Sequence, residues 1–341
     1  MEIDFLAYKV RSNDTLQSIA SRVGMTGEEL KLFHNSRCKK TDTIWFENLN
    51  EVKNIFVPTH FKTEKQKEQE QKNILPPALL SDSFFAKTYT VSETFESPFE
   101  NPLHIDYIID LDIHKDKDQN VYILSYYQKN FKSDGSTSDD KMSNLSLACM
   151  ESIMPISFMI NADGKITGLA DHKSIIENFA SQRKELEDFF IGEVSQKYFD
   201  TFQNNLENEK LLLQQFSTTL LFQTLFPKMD WFHKKTSWTE SFHLVQNSFP
   251  VQCHMDIEYE NEEEDFVVTV LKGNITEACS SQEIVRGIKQ ETLSQDRASG
   301  DIILKYTTHK KHKTLFQTQA DISVRHKGEI IHQHNLTITQ G

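Results

Sequence analysis

The sequence has few cysteines and glycines and no long apolar run, and each shortage argues against a class of protein. Its four cysteines are far apart and form no C-x-x-C pair, which argues against a disulfide framework or a zinc site. We expect buried, reduced thiols at Cys38, Cys149, Cys253 and Cys279. No run of about 18 apolar residues could span a bilayer. The first ten residues lack a basic and apolar leader, so we expect no secretory signal and a soluble, cytoplasmic protein.

Sequence signatures of catalysis are also lacking. Only 11 glycines leave few places for phosphate-binding loops, and there is no P-loop, no G-x-G-x-x-G and no G-x-S-x-G motif. The carboxylates show no pattern that would pair two of them as a glycosidase acid and base. The sequence therefore predicts a protein that is not an enzyme and that carries no cofactor.

Charge, in contrast, is abundant and mostly negative. Acidic residues number 50 against 37 lysines and arginines, which gives a net charge of −13. This excess opposes binding to nucleic acid or to an anionic membrane through bulk electrostatics. At 341 residues the chain exceeds the usual size of a single core, so we expect two domains.

The first 60 residues show the pattern of a small β-α-α-β unit. Apolar spacing predicts one buried face on a first helix, formed by Leu16, Ile19, Ala20 and Val23. Asp14 stands at the expected N-cap of this helix, with Gln17 three residues on, and Gly24 follows its last apolar residue. Thr26 and Glu29 predict a capping box at the start of a second helix. Alternating strands flank the two helices.

This unit resembles a LysM domain over residues 6–59. The residues that carry the resemblance are Tyr8, Val10, the run Asn13-Asp14-Thr15-Leu16, then Ile19, Ala20, Leu30, Asn35, Val57 and Pro58. Asn13 stands where the family usually has glycine, and asparagine tolerates a positive φ better than most residues. Residues 42–54 form a longer segment than the family has there, without its glycine and proline.

The resemblance implies a shallow groove that binds glycans containing N-acetylglucosamine, such as peptidoglycan or chitin. Two sets of residues would form it: Ser12, Asn13, Asp14 and Thr15 after the first strand, and Ile44, Trp45 and Phe46 before the second. An aromatic wall suits a methyl group or a sugar face. The alternative is a structural role, with Asp14 acting only as a cap and Trp45 only closing a very small core.

Residues 61–80 have the composition of a charged linker. Residues 62–73 are almost wholly Lys, Glu and Gln, with no apolar residue that could pack. We therefore expect a LysM-like domain at 1–60, a linker at 61–80 and a larger α+β domain at 81–341.

The larger domain shows the order sheet, helices, sheet. Alternating strands begin at residue 103, and Asp163-Gly164 and Lys327-Gly328 have the sequence of tight turns. Helical spacing of apolar residues, Phe189 and Val194 among them, predicts a helical block that includes a deeply buried segment at 211–227. This order predicts an α+β fold in which a curved or half-barrel antiparallel sheet packs on the helices and its last strands could pair with its first.

Five of the 13 histidines lie near the end of the chain, at His309, His312, His326, His332 and His334. His332 and His334 share a strand face, and with His326 they could in principle hold a metal. No H-E-x-x-H motif is present, and we expect outward polar positions and no metal site.

We therefore expect a non-enzymatic adaptor or assembly protein. Its LysM-like module would act as a protein-protein joint, as such modules do in bacterial phage-tail-like contractile or secretion apparatus. The alternative is a cell-envelope protein that binds N-acetylglucosamine glycans and is exported by a non-classical route. The missing signal, the reduced cysteines and the altered second loop favour the adaptor, and the Asn13-Asp14-Thr15-Leu16 turn favours the glycan. The expected partner is a protein or a glycan, with no nucleic acid and no membrane span.

Overall fold

The computed structural model describes residues 5–46, 49, 52–59, 70, 74–98, 100–116, 120–137, 140–289 and 297–341. The chain forms two compact units, Met1–Ile74 and Leu75–Gly341, called the front unit and the large unit below. Both units combine helices with antiparallel strands, and the large unit contains an 11-stranded sheet. None of the helices in these ranges is long and apolar enough to cross a membrane.

The front unit has the predicted β-α-α-β order. Its elements are β1 (Phe5–Lys9), α1 (Leu16–Arg22), α2 (Gly27–Asn35), a 3₁₀ turn (Lys40–Asp42) and β2 (Asn54–Pro58). β1 and β2 pair antiparallel, with Phe5 opposite Pro58. The predicted inner face of α1 is confirmed, because Leu16, Ile19 and Ala20 are buried in one cluster with residues of α2 and β2.

Of the two helix caps predicted in the front unit, one is confirmed and one is wrong. The predicted cap of α1 at Asp14 is wrong, because the cap is Thr15, whose Oγ1 accepts from the N–H of Ser18 at 3.1 Å. Ser18 Oγ accepts in return from the N–H of Thr15 at 2.9 Å. The capping box of Thr26 and Glu29 is confirmed, with Glu29 N to Thr26 Oγ1 at 3.2 Å and Thr26 N to Glu29 Oε2 at 2.7 Å.

The sheet of the large unit is antiparallel throughout. Its strands are β3 (Thr88–Glu96), β4 (Leu103–Asp116), β5 (Val121–Ser133), β6 (Ile156–Ile160), β7 (Ile166–Leu169), β8 (Trp238–Phe242), β9 (Val251–Glu260), β10 (Phe266–Ile275), β11 (Ser299–His309), β12 (Leu315–His326) and β13 (Glu329–Gln340). They are ordered β7-β6-β5-β4-β3-β13-β12-β11-β10-β9-β8. The strand expected to be the first, β4, does not pair with a late strand but with β3 and β5. The late strand β13 instead pairs with β3, which was not predicted from the sequence.

The predicted tight turns join neighbouring strands. Asp163-Gly164 lies in the β6–β7 hairpin, and Gly164 has a φ of +86° that favours glycine. Lys327 and Gly328 connect β12 to β13 with φ values of +52° and +89°. Two successive positive φ values are those of a type I′ turn, whose twist matches that of the paired strands.

The helical block predicted between the two groups of strands is present. Its helices are α3 (Lys141–Ser152), α4 (His172–Phe189), α5 (Glu193–Glu207), α6 (Glu209–Ser217) and α7 (Leu220–Leu225), and α8 (Ser281–Arg286) follows β10. The segment 211–227 divides into α6 and α7 because Thr219 caps a new helix there, and α7 is deeply buried as expected. Phe189 and Val194 depart from the predicted apolar stripe, since both are exposed where α4 passes into α5.

Two boundaries differ from the expected ones. Residues 75–80, assigned to the linker, belong to the large unit, where Leu75 and Leu80 are buried and Leu80 N donates to Ala162 O at 2.7 Å. The charged stretch 62–73 lies outside the described residues except for residue 70. Three of the four cysteines are buried as expected, but Cys38 is only partly buried.

Candidate functional site

The first predicted binding loop, residues 12–15, lies between β1 and α1. Ser12 and Asn13 are exposed in its turn. Asp14 faces inward, with a side chain only 3% exposed, and its Oδ2 accepts from the backbone N–H of Arg11 and from the hydroxyl of Tyr8, each at 2.9 Å. The polar surface that this loop offers to a ligand is therefore mainly that of Ser12 and Asn13.

Arg22 completes the surroundings of Asp14. Its Nη2 lies 3.2 Å from Asp14 Oδ1, and its Nη1 donates to the hydroxyl of Tyr8 at 2.7 Å. The backbone N–H of Arg11 lowers the pKa of Asp14 most, and Tyr8 and Arg22 add to this against the opposing effect of desolvation. Asp14 thus ties β1 to α1 instead of capping the helix.

The second predicted loop, residues 44–46, separates a core residue from two surface residues. Ile44 is buried in the hydrophobic cluster of the front unit, so its side chain is not available to a ligand. Trp45 and Phe46 are 75% and 79% exposed. The alternative in which Trp45 closes the small core is therefore wrong, because Ile44 has that role.

Helix α2 fixes the backbone that carries this aromatic pair. Asn35 Nδ2 donates to Ile44 O, and Ile44 N donates to Asn35 Oδ1, both at 2.9 Å. Lys31 Nζ donates to Trp45 O at 2.7 Å. Among the described residues, no hydrogen bond or ring contact joins loop 44–46 to loop 12–15. Hydrogen bonds from α2 thus fix the backbone at Ile44 and Trp45, and the side chains of Trp45 and Phe46 lie at the surface.

Buried His34 anchors the segment that leads into this loop. Its Nε2 lies 2.9 Å from Asp42 O, and its Nδ1 accepts from the N–H of Phe56 at 3.1 Å. Because a carbonyl can only accept, Nε2 must carry the proton that it donates to Asp42. This one imidazole therefore connects α2, the 3₁₀ turn and β2.

The large unit contains a cavity that the sequence analysis did not predict. It has a volume of about 610 Å³ and lies between the sheet and the helical block. Strands β3, β4, β5 and β13 line one side, and helices α3, α5, α6 and α7 with residues 243–247 line the other. Most of the lining is apolar or aromatic, and the volume is within the range of about 300–1,000 Å³ typical of small-molecule sites.

A carboxylate interrupts the apolar inner face of the sheet at this cavity. Successive residues of a strand point to opposite faces, so Glu93 lies on the same face of β3 as buried Tyr89 and Val91. Tyr107 of β4 donates to Glu93 Oε1 at 2.5 Å, and His334 Nε2 of β13 donates to Oε2 at 2.7 Å. The side chain of Glu93 is only 12% exposed.

Aromatic rings hold both donors of this cluster in place. Phe95 stacks on His334 with ring centroids 4.0 Å apart, and Phe131 stacks on Tyr107 at 4.9 Å. Burial raises the pKa of Tyr107 well above its usual range, and the Glu93 carboxylate adds to this. Tyr107 is therefore a neutral phenol that donates its proton to a charged acceptor.

His332 lies two residues before His334 on the same face of β13 and also lines the cavity. Burial lowers its pKa most, and the neighbouring His334 lowers it further, so His332 is a neutral imidazole at pH 7. The expected outward placement of these two histidines is wrong, since they lie opposite Val324 and Ile322, both buried on β12.

The metal alternative that the histidines raised gains no support from the geometry. His326 Nδ1 lies 3.0 Å from Ser281 Oγ, away from the cavity lining. Within the described ranges, no group of three or more His, Cys, Asp or Glu side chains is arranged to hold a metal ion.

The comparisons with known proteins leave the family open. No family model and no curated protein matches this sequence. A solved structure described as lipid-protein interactions in lipovitellin is similar at a TM-score of 0.36 and 8% identity. The match covers 74% of this chain, which spans about a quarter (24%) of that one. A similarity at this level establishes neither a shared fold nor a shared function.

Proposed function

We propose that this chain is a non-enzymatic adaptor or assembly protein whose LysM-like front unit is a protein-protein joint. The observation that carries the proposal is the exposed aromatic pair Trp45 and Phe46 on a loop whose backbone is bonded to α2. Two adjacent, mostly exposed aromatic rings are unusual on a free surface and typical of the buried anchors of interfaces. The backbone bonds would reduce the entropy lost when the loop is buried by a partner.

The polar groups of the first loop favour a protein over a glycan as the partner. An acetamido group needs paired donors and acceptors beside an apolar wall. Asp14 is engaged by Tyr8, Arg11 and Arg22, and Thr15 Oγ1 accepts from α1. An apolar protein surface could be bound by the rings of Trp45 and Phe46 alone, without these polar groups.

The same proposal includes the assembly and the shape of the large unit. The joint would serve a phage-tail-like contractile or secretion apparatus assembled in the cytoplasm. The sheet of the large unit would curve as a half-barrel around the helices, which is supported by the single hydrophobic cluster that includes residues from β3 through β13 and the helical block.

A glycan remains the second candidate because Ser12 and Asn13 are exposed and the aromatic rings could stack on a sugar face. NMR titration of the full chain with chitin oligomers and soluble peptidoglycan fragments separates the two candidates. We expect no specific shifts at millimolar glycan. Movement of the residue 12–15 amides and the Trp45 indole, abolished by Trp45→Ala, would replace the adaptor with the glycan binder.

A positive test places a photo-reactive phenylalanine analogue at position 46 in the producing cells. We expect one discrete protein adduct that disappears when Trp45→Ala is added, because the two rings would form one contact. The same analogue at exposed Glu28, in the first turn of α2, is the control and should not give this adduct. Adducts that are equal at both positions would contradict the joint.

A further inference from the structure

We infer that the cavity of the large unit binds one apolar molecule whose head group, a hydroxyl or an amine, donates a hydrogen bond to Glu93. This inference does not depend on the front unit or on its proposed partner. The cavity, its lining and the position of the carboxylate carry it.

The lining favours a largely apolar ligand. Leu212, Phe216 and Phe222 of α6 and α7 line the cavity opposite aromatic residues of the sheet, among them Phe95 and Phe131. Protein interiors are normally packed without voids larger than a water molecule. A space of about 610 Å³ between a sheet and its covering helices is therefore large enough to be a binding site rather than a packing defect.

The charges of the lining select the head group. Among the described residues that line the cavity, Glu93 is the only acidic one, and none is a lysine or an arginine. An anionic head group would therefore meet a carboxylate without a fixed cation to offset it. A hydroxyl or a protonated amine would instead donate to the carboxylate, and the amine would also gain from opposite charge.

Besides Glu93, two imidazoles of the lining, those of His243 and His332, can accept a hydrogen bond. Glu93 takes one bond on each oxygen, from Tyr107 and His334, and each carboxylate oxygen can accept a second. His243 Nδ1 donates to Ser248 O at 2.8 Å, which leaves the lone pair of Nε2 as an acceptor when the ring is neutral. Neutral His332 adds another imidazole with one acceptor nitrogen. The cavity thus offers acceptors to a ligand that brings the donor.

Some of the other polar side chains of the lining are already hydrogen-bonded. Tyr198 donates to Ser146 Oγ at 3.0 Å across α5 and α3. Thr218 Oγ1 donates to Gln214 O and accepts from the N–H of Asn247. Glu93 is the carboxylate among these polar groups, and we assign recognition to it and its two donors.

The test compares three probes of equal chain length on the full protein: dodecylamine, dodecanol and dodecanoate. Each is titrated below its solubility limit against bound Nile red, and native mass spectrometry counts bound molecules. We expect one equivalent of the amine or the alcohol to displace the dye, and dodecanoate to bind at least about tenfold more weakly, as expected for unfavourable charge at a partly buried site. Equal binding of dodecanoate, or displacement by none of the three, would overturn the inference.

Variants locate the site. Glu93→Gln keeps the size of the side chain and should weaken dodecylamine about tenfold or more while improving dodecanoate. Glu96→Gln, on exposed Glu96 of the same strand, is the matched control and should change neither. Ser146→Phe should weaken the binding of all probes by narrowing the cavity. Unchanged dodecylamine affinity in a folded Glu93→Gln protein would contradict the inference. If this variant does not fold, the relative affinities of the unaltered chain for the three probes are the test.

Discussion

Tyr107 donates its phenolic proton to Glu93 across the β3–β4 pair, with 2.5 Å between the hydroxyl and Oε1. Both side chains lie on the face of the sheet that the helices cover, where Val91 is the register partner of Tyr107. A carboxylate on such a face must be compensated, because burying an unpaired charge is costly. The two donors of Glu93 provide this compensation and leave the carboxylate at the cavity wall.

We expect Tyr107→Phe to lower the free energy of unfolding of the large unit by about 1.5–3 kcal/mol, the usual value of a hydrogen bond to a charged group. The substitution keeps the ring and its stacking on Phe131 but removes a donor from Glu93. Urea unfolding followed by circular dichroism measures the change.

Tyr306→Phe is the matched control. Tyr306 is fully buried on β11, and among the described residues its hydroxyl has no hydrogen-bond partner. Removing an unpartnered buried hydroxyl should be neutral or stabilising. Equal losses of stability in Tyr107→Phe and Tyr306→Phe would show that the bond to Glu93 does not contribute.

The buried thiols should differ from Cys38 in their reactivity. Burial raises the pKa of Cys149 and of Cys253 to about 12 and that of Cys279 to about 11, so these groups are thiols and not thiolates at pH 8. We expect an aromatic disulfide reagent to modify partly buried Cys38 first and the other three only at the rate of unfolding. Rapid modification of more than one thiol in the native chain would contradict this burial, and Cys38→Ser supplies the control.

Strand parity explains what the sequence did and did not reveal about the site. The alternation of β4 predicted its buried face, which includes Tyr107. Counting back by twos from buried Ile338 puts His334 and His332 on the inner face, yet their polarity led to an outward assignment. In β3 the same count from Tyr89 puts Glu93 inside. The period of two decides the face, because side chains alternate whatever their polarity.

The cavity itself could not be predicted from the sequence. Its walls come from residues more than 200 positions apart, such as Glu93 and His334, which only the pairing of β13 with β3 brings together. The local features were easier, because caps and tight turns depend on a few neighbouring residues. Even so, the cap of α1 moved by one residue, since Asp14 bonds to the strand side instead.

The two residues at the start of α1 should respond differently to acid. The pKa of Asp14 is lowered in the folded chain, so its contribution to stability is present above its unfolded pKa of about 3.9 and is lost as the pH falls through the folded pKa. We expect Asp14→Asn to lower the melting temperature of the front unit at pH 7. The further drop in melting temperature between pH 4 and pH 2 should be smaller in this variant than in the unaltered chain. NMR of the full chain follows this melting.

Thr15→Ala provides the comparison, because Thr15 does not titrate. Loss of its cap should cost about 1 kcal/mol at both pH 7 and pH 2. An effect of Thr15→Ala that is as dependent on acid as that of Asp14→Asn would argue against the assignment of these roles.

The large unit should lose stability in alkali. Burial raises the pKa of four inner-face tyrosines above the value of about 10 in an unfolded chain, namely Tyr89, Tyr107, Tyr126 and Tyr306. Above about pH 10 the unfolded chain therefore binds fewer protons than the folded one, and the free energy of unfolding falls as the pH rises, by at most about 1.4 kcal/mol per pH unit for each tyrosine. Below about pH 10 this contribution is fully present.

Urea unfolding between pH 9 and 12 in a reducing buffer, with tyrosinate absorbance as the second signal, measures the slope. Tyr306→Phe should make the slope shallower by removing one of the titrating groups, and an unchanged slope would mean that Tyr306 does not stay protonated in the folded sheet.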